Sequence, residues 1–340
     1  MHIPVLLDEV IKYLDPKKNE NFIDATFGAG GHAAAILKKI GPTGRLLGIE
    51  ADTELYKKSK SRIAEFPISN FQFPNRLILV NDSYANLKRI VEERKFGPVN
   101  GILFDLGMSS WHLEESGRGF SFQKNEPLIM RYFLNPGVLN PKSQILNPKQ
   151  IPNSKIQNFK LRNDLTAEEI VNQWPESKLE NIFREYGEER WSKRIARKIV
   201  EGRRIKPIKT TFELVEIIKK AAPRSCKKGR HPATRVFQAL RIVANDELEN
   251  LKIGLRQTLE ILAPGGRIAV ISFHSGEDRI VKNFFRDEAK KGIMEILTKK
   301  PIIPTSEEIR RNSRARSAKL RAAKINSAGI NFNTELRIEN

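Results

Sequence analysis

The chain has 340 residues, 39% of them apolar, enough for one large or two modest domains with a real core. Lys and Arg number 60 against 40 Asp and Glu, and the formal net charge of +20 favours a polyanionic partner, nucleic acid first. The single cysteine, Cys226, excludes an intramolecular disulfide, no Cys/His cluster has zinc spacing, and no apolar run is long enough to span a membrane.

The N-terminus, Met1 to Glu9, lacks a basic region followed by an apolar one, so no export signal is expected and a soluble, cytoplasmic protein is. Phe22-Ile23 then leads into Asp24-Ala-Thr-Phe-Gly-Ala-Gly-Gly-His32 and the helix-forming run Ala33 to Leu37. That order is strand, glycine-rich turn, helix, with glycines where the backbone must pass close beneath a ligand. Arg45 to Ile49 ends in Glu50, 18 residues beyond His32, where a carboxylate can accept ribose hydroxyls. No Gly-Lys-Ser/Thr follows the turn, which argues against a P-loop, and Gly28, Gly30 and Gly31 lack the last glycine of the dinucleotide fingerprint. Asp24, at the end of the first strand, would repel a pyrophosphate. It suits a cofactor carrying an ammonium and a sulfonium, S-adenosylmethionine, better than a dinucleotide.

Leu77 to Val80 reads as a buried strand ending at Asn81-Asp82, Tyr84 to Glu93 as a helix, and Val99 to Phe104 as a further strand ending at Asp105. Alternation of this kind predicts a parallel sheet with helices on both faces and ligands at the carboxyl ends of the strands. Asp24, Glu50, Asp82 and Asp105 all fall there, a stronger constellation than any one of them, which alone would more often be a solvated turn residue or an N-cap.

The alternation breaks after Phe122. Asn135 to Asn163 is rich in Asn, Pro and Lys, has no acid, and reads as a loosely held basic loop. Helical patterns follow: Thr166 to Glu169 and Ser177 to Glu180 are capping boxes, Leu179, Ile182 and Phe183 form one apolar stripe, and Trp191, Ile195 and Ile199 another. Arg190, Lys193, Arg194, Arg197 and Lys198 fill the remaining faces, either as a solvated surface or as a phosphate-contacting one. Thr210 to Glu213 opens a further helix. The α/β pattern resumes near His231, with a helical stretch from Ala233 to Leu262 stopped by Pro264-Gly265-Gly266. A strand over Arg267 to Phe273 and a helix from His274 to about Phe285 come next, then a basic tail from Arg310 to Lys324. The expected organisation is an α/β core over 1–122 and 231–340, a loop over 123–164, and an inserted helical domain over 165–230.

The chain resembles the bacterial RsmH (MraW) family of 16S rRNA cytosine-N4 methyltransferases. The resemblance is carried by His2 to Val10, Asp24 to His32, Asp105 to Ser110, Arg118 to Phe122, Tyr186 to Arg190, His231 to Arg235 with Phe237 to Arg241, Pro264 to Ser275 and Arg314 to Arg321, in family order. It implies a class I, Rossmann-like methyltransferase core with an inserted all-helical substrate-recognition domain. It also implies S-adenosylmethionine as cofactor, no metal, and as substrate the decoding-site cytidine at standard position 1402 of 16S rRNA in the small ribosomal subunit. A homodimer is compatible with it. By motif, the cofactor contacts implied are Gly30, Gly31, His32, Glu50 at the ribose, Tyr84 beside the adenine, Asp105 and His112. The chain departs from the family pattern at Glu50 (usually Asp), His112 (usually Gln), Tyr84 (commonly Phe) and Ile129, which replaces an Asp in Pro-Leu-Asp-Met-Arg.

The chemistry expected is attack by an exocyclic amine whose lone pair is delocalised into the ring. An acceptor near the amine protons would localise that pair, and Asp105 is placed either for this or as a cofactor ligand. Ser109 and Ser110 are hydrogen-bonding candidates or turn-formers. Trp111, Phe120 and Phe122 are stacking candidates for an unstacked base or core residues. His274 is a general base by type or a structural hydrogen-bonder. Arg190, Arg194, Arg197, Arg314 and Arg316 are the candidate RNA contacts. The rivals are a methyltransferase of another substrate class and a non-catalytic RNA-binding factor, for which Ile129 is the support.

Overall fold

The computed structural model describes residues 4–62, 76–133, 165–221 and 231–326. The Asn/Pro-rich stretch 135–163 and Cys226 lie outside the described residues. The chain divides into two compact units, residues 1–107 with 248–340 and residues 108–247. Among the described residues, no helix is long and apolar enough to cross a membrane.

The first unit begins with α1 (Leu7–Leu14), β1 (Phe22–Asp24), α2 (Gly31–Lys39), β2 (Leu46–Glu50), α3 (Thr53–Arg62), β3 (Leu77–Asn81), α4 (Leu87–Glu93) and β4 (Val99–Asp105). Every residue of β1 and β2 is buried. That is the signature of strands covered on both faces, and it explains why they read as continuous apolar runs rather than alternating ones.

The second unit is helical: α5 (Ser110–Glu114), α6 (Ala167–Gln173), α7 (Glu176–Glu185), α8 (Ser192–Ile205), α9 (Thr211–Ala221) and α10 (Ala233–Ala244). Its core gathers Leu179, Ile182 and Phe183 from α7, Ile195 and Ile199 from α8, Leu214 and Ile218 from α9, and Val236 and Leu240 from α10. The capping box at Thr166 forms, Thr166 Oγ1 accepting from the Glu169 amide and Glu169 from the Thr166 amide. The one expected at Ser177 does not, because α7 starts earlier, at Glu176 behind Pro175, and puts Ser177 inside the first turn.

The chain returns to the sheet with α11 (Glu247–Ile261), β5 (Leu262–Ser272), α12 (Ser275–Lys290), β6 (Met294–Ile296), α13 (Ser306–Arg311) and β7 (Lys319–Ile325). The sheet order is β3-β2-β1-β4-β5-β7-β6, with β7 antiparallel to both its neighbours. This is the Rossmann-like architecture expected of the methyltransferase core. Ile23, Leu47, Ile102 and Ile268 point to one face, packed with Leu251, Leu255 and Val281. Their neighbours Phe22, Leu46, Leu103 and Ala269 point to the other, packed with Val10, Leu14 and Ile36. The order reverses between β1 and β4, the position at which such sheets open a ligand crevice.

Three boundaries differ from expectation. The stretch from Ala233 to Leu262 is two helices, broken at Asn245 and at Asp246, whose φ is 50°. Asn245 is used as a bridge, its amide donating to the Met130 carbonyl and its Oδ1 accepting from the Tyr132 amide. Strand β5 starts at Leu262, before Pro264-Gly265-Gly266, and the turn residues are taken up as a register shift opposite Val99 and Gly101. Residues 108–122 and 231–247, which the sequence assigned to the core, pack with the helical unit.

Within that unit Arg241 grips Glu247 by two hydrogen bonds of 2.8 and 2.9 Å, both side chains being almost fully buried. Arg241→Met leaves a buried carboxylate without its guanidinium. It should destabilise the protein by about 3–5 kcal/mol, measurable as a lowered midpoint in urea unfolding.

Candidate active site

Three of the four strand-end acids are drawn into one cluster, Asp24 and Glu50 buried and Asp105 half-buried, and the fourth is not. Asp24 closes β1 with 1% exposure, and its Oδ1 accepts from the Thr26 amide. Thr26 Oγ1 in turn accepts the Asp105 amide at 2.6 Å, tying the ends of β1 and β4 together. Glu50 closes β2. Its Oε2 accepts the Gly28 amide at 2.9 Å and its Oε1 the Asp52 amide at 2.8 Å, so one carboxylate fixes both the glycine-rich turn and the start of α3. The longer Glu side chain has the reach to span both. Asp82, by contrast, accepts from the Ser83 amide and Asn86 and pairs with Arg89, which makes it a local structural acid.

The turn itself needs glycine at two positions. Gly30 caps α2 with φ 78°, in the left-handed region. A Cβ on Gly31 would lie 2.4 Å from Pro4 Cγ, so the N-terminal segment rests directly on this turn. His32 Nε2 lies 2.9 Å from the Val5 carbonyl. A carbonyl only accepts, so Nε2 carries the hydrogen and Nδ1 is left facing Asp105 Oδ2 at 3.6 Å. The His32 side chain thus ties the N-terminal segment to the start of α2.

Burial governs the charge of this cluster. It pushes Asp24 up to about 6, Asp105 up to about 7 with help from the Glu277 charge, and Glu50 up to about 8 against its backbone hydrogen bonds. Burial likewise holds His32 below its ordinary value. Asp105 Oδ1 is buried and has no hydrogen-bond partner among the described residues. An orphaned carboxylate oxygen beside two further strained carboxyls is a site prepared for a cation and for a hydrogen-bond donor. Tyr84 stands at the end of β3, half-buried, its ring edge-on to Phe104 at 5.6 Å.

Residues singled out in the sequence also take part in helix caps. His274 caps α12, Nδ1 accepting from the Glu277 amide while Glu277 Oε2 accepts the Phe273 and His274 amides. Glu277, 3% exposed, was not anticipated, although its place three residues after His274 is that of a reciprocal cap. Thr26 and Asp52 were also missed. Asp52-Thr-Glu is an N-cap sequence, whereas nothing local signals the role of Thr26.

In the helical unit His112 is 4% exposed and packs edge-on against Trp111, Phe120 and Tyr132. Its Nδ1 accepts from the Ser109 amide, and Ser109 is the N-cap of α5. Ile129 is half-buried between the almost fully buried Leu128 and Met130. Lys193, Arg194, Arg197 and Lys198 are exposed along α8, with Arg190 just ahead of it. Arg197 and Lys198 share Glu201, whereas Arg203 turns inward onto the Val171 and Trp174 carbonyls. Of the tail residues in the sheet unit, Arg316 is exposed and Arg314 half-buried, and Arg321 is committed to Asp278 at 2.6 Å.

A family model described as the MraW methylase family matches residues 1–147 and 158–326. The chain is 42% identical over 334 residues to the ribosomal RNA small subunit methyltransferase H of Carboxydothermus hydrogenoformans, covering 94% of this chain and 96% of that one. It is 44% identical over 321 residues to the protein of the same description from Dictyoglomus thermophilum, covering 94% and 95%. Among solved structures, an O-methyltransferase from Bacillus cereus aligns at 7% identity over 94% of this chain and 79% of that one, with a TM-score of 0.41.

The raised carboxyls give the site a pH signature. A bound cation favours ionised acid, so at pH 7 S-adenosylmethionine should expel protons from carboxyls lying at about 7 and about 8 in the free protein. Affinity should rise through this range and level off above it, where the acids are already charged. Titration calorimetry at pH 7 in two buffers of different ionisation enthalpy reads the proton release directly. Identical heats in both buffers would mean that no acid changes charge.

Proposed function

The chain belongs to the MraW methylase family, and from that membership we propose that it methylates the exocyclic N4 of a 16S rRNA cytidine, the decoding-site residue at standard position 1402, within the small ribosomal subunit. The observation that supports this most directly is the buried, unpartnered Oδ1 of Asp105 at the carboxyl end of β4. The cofactor is S-adenosylmethionine, and the carboxyl cluster fits it, since an ammonium and a sulfonium supply the positive charge that ionised Asp24, Glu50 and Asp105 lack. When bound, the cofactor supplies a methyl group made electrophilic by its sulfonium.

The residues then divide the work. Gly30 and Gly31 give the cofactor a backbone surface without side chains. Glu50 keeps free lone pairs on both oxygens and accepts from ribose hydroxyls, while Tyr84 flanks the adenine. Asp105 Oδ1 accepts a proton from the cytosine amine as the new N–C bond forms, which keeps the nitrogen lone pair out of the ring. Asp105, at about 7 before ligands bind, ionises readily near neutral pH once a cation is beside it. His32 Nδ1 faces the other carboxylate oxygen at 3.6 Å. Arg190, Arg194 and Arg197 in the helical unit, and Arg314 and Arg316 in the sheet unit, contact phosphates of the substrate RNA. The place of action is the cytoplasm, where small subunits assemble.

The test is methyl transfer to purified unmodified small subunits, followed by mass spectrometry of the decoding-site fragment. Wild-type protein should add one methyl group to one cytidine. Asp105→Asn keeps the size and one acceptor oxygen but loses the charge. Its kcat should fall about 100-fold or more while cofactor affinity falls much less. Equal losses would make Asp105 a cofactor ligand only, and near-normal turnover would remove it from the mechanism.

A further inference from the structure

Three motifs of the helical unit carry no role in the chemistry above: Arg118 to Phe122, Tyr186 to Arg190, and His231 to Arg235. The fold brings them together. Gly187 lies so close to α10 that a Cβ there would sit 2.5 Å from the Arg235 carbonyl, and Gln238 on the same helix donates to the Tyr186 carbonyl at 2.9 Å. At the start of that helix the imidazole of His231 stacks on the ring of Phe122, centroids 4.6 Å apart and planes within 10° of parallel. Phe237 closes one edge of Phe122 at 5.6 Å and 83°.

This pair differs from the other aromatic candidates. Trp111 and Phe120 are sealed in the interior at 8% and 4% exposure, so neither offers a face to a ligand. Phe122 and His231 are only half-buried. His231 is also held rigidly, because its Nδ1 accepts the Ala233 amide at 3.2 Å. Burial and the nearby Lys219 keep its imidazole below the ordinary value and therefore neutral at pH 7. Arg235, Lys219 and Arg190 are exposed on the elements that carry or adjoin the stack. A flat, rigid, uncharged aromatic surface with cations around it is the arrangement that binds single-stranded nucleic acid, the base on the ring and the phosphates on the cations.

We propose that the Phe122–His231 stack is a platform for an unpaired base of the substrate RNA, with Arg235 and Lys219 at the adjoining phosphates. The proposal rests on the reading of the chain as an rRNA methyltransferase. It adds a recognition site within the helical unit alone, separate from the carboxyl cluster that holds the cofactor.

His231 has two separable properties, a ring face and a capping nitrogen, and two variants divide them. His231→Phe keeps the ring and loses the cap. His231→Asn keeps a cap acceptor and loses the ring. In steady-state methylation of purified small subunits, His231→Phe should stay within about twofold of wild type, while His231→Asn should raise KM for the subunits about tenfold. KM for S-adenosylmethionine should be unchanged in both. Phe122→Leu, which keeps apolar volume without a ring, should behave like His231→Asn. The reverse order, with His231→Asn normal and His231→Phe impaired, would make His231 a helix cap and overturn the platform. So would equal behaviour of the two variants, whether both normal or both impaired. Failure of wild-type protein to methylate the subunits would instead overturn the function on which the platform rests.

Discussion

The withdrawal from water of carboxyl groups at the carboxyl ends of β1, β2 and β4, two buried outright and the third with one oxygen closed off, is the constraint around which the sheet unit is built. Parallel strands covered on both faces leave no water at their ends except where the strand order reverses, and Asp24 and Asp105 terminate the two strands that flank that reversal. The backbone is shaped to hold these groups. Thr26 joins Asp24 to Asp105, and Glu50 joins the glycine-rich turn to α3. Each amide donated to a carboxylate favours its charged form, yet burial outweighs them all, and each acid lies above its ordinary range. A site left short of positive charge in this way discriminates by charge before it discriminates by shape. A ligand bringing an ammonium and a sulfonium relieves the strain, whereas one bringing a pyrophosphate would deepen it.

The same need for acceptors explains why several chemistry-bearing side chains serve as caps. A helix that starts at a strand end needs acceptors for its first amides, and an acid, a serine or a histidine supplies them. Asp82, Asp52, His112 through Nδ1 and His274 through Nδ1 all accept this way. Asp105 Oδ1 accepts no such amide, and His274 Nε2, on the far side of its ring from the cap, is likewise buried without a hydrogen-bond partner among the described residues.

How far the sequence could be read follows from the range of the interactions involved. The parallel strands, the turn at Gly30 and the acids at the strand ends were legible because each is a local pattern: an apolar run, a glycine cluster, a terminal carboxylate. The division of the four acids into three clustered and one paired was not, because Arg89 reaches Asp82 from the next helix. Thr26 as the link between β1 and β4 was equally hidden, since its partner lies 79 residues away. The helical unit was legible as helices but not in extent. Residues 108–122 and 231–247 follow strand-like and helical patterns continuous with the sheet unit, and only their packing against Ile170, Phe183 and Leu214 assigns them elsewhere. The split at Asn245 was missed for the same reason: the residue reads as a weak helix former, and its reason for being there is a pair of hydrogen bonds to Met130 and Tyr132.

Charge shows the limit of composition most clearly. A formal +20 suggests a uniformly attractive surface for RNA, but part of the arginine complement faces inward. Arg118 donates to the Arg131 and Tyr132 carbonyls, Arg131 to those of Leu165 and Ala244, and Arg76 to those of Leu37 and Gly44. These guanidiniums satisfy carbonyls that the turns leave unpaired, a task for which five fixed donors suit arginine and not lysine. They add little to phosphate binding, which draws on groups free to reach solvent and release counterions. Lys193 and Arg194 of α8, Arg190 before it, Arg235 and Arg316 are exposed in this way. Net charge therefore overstates the number of cations that this chain holds ready for a polyanion.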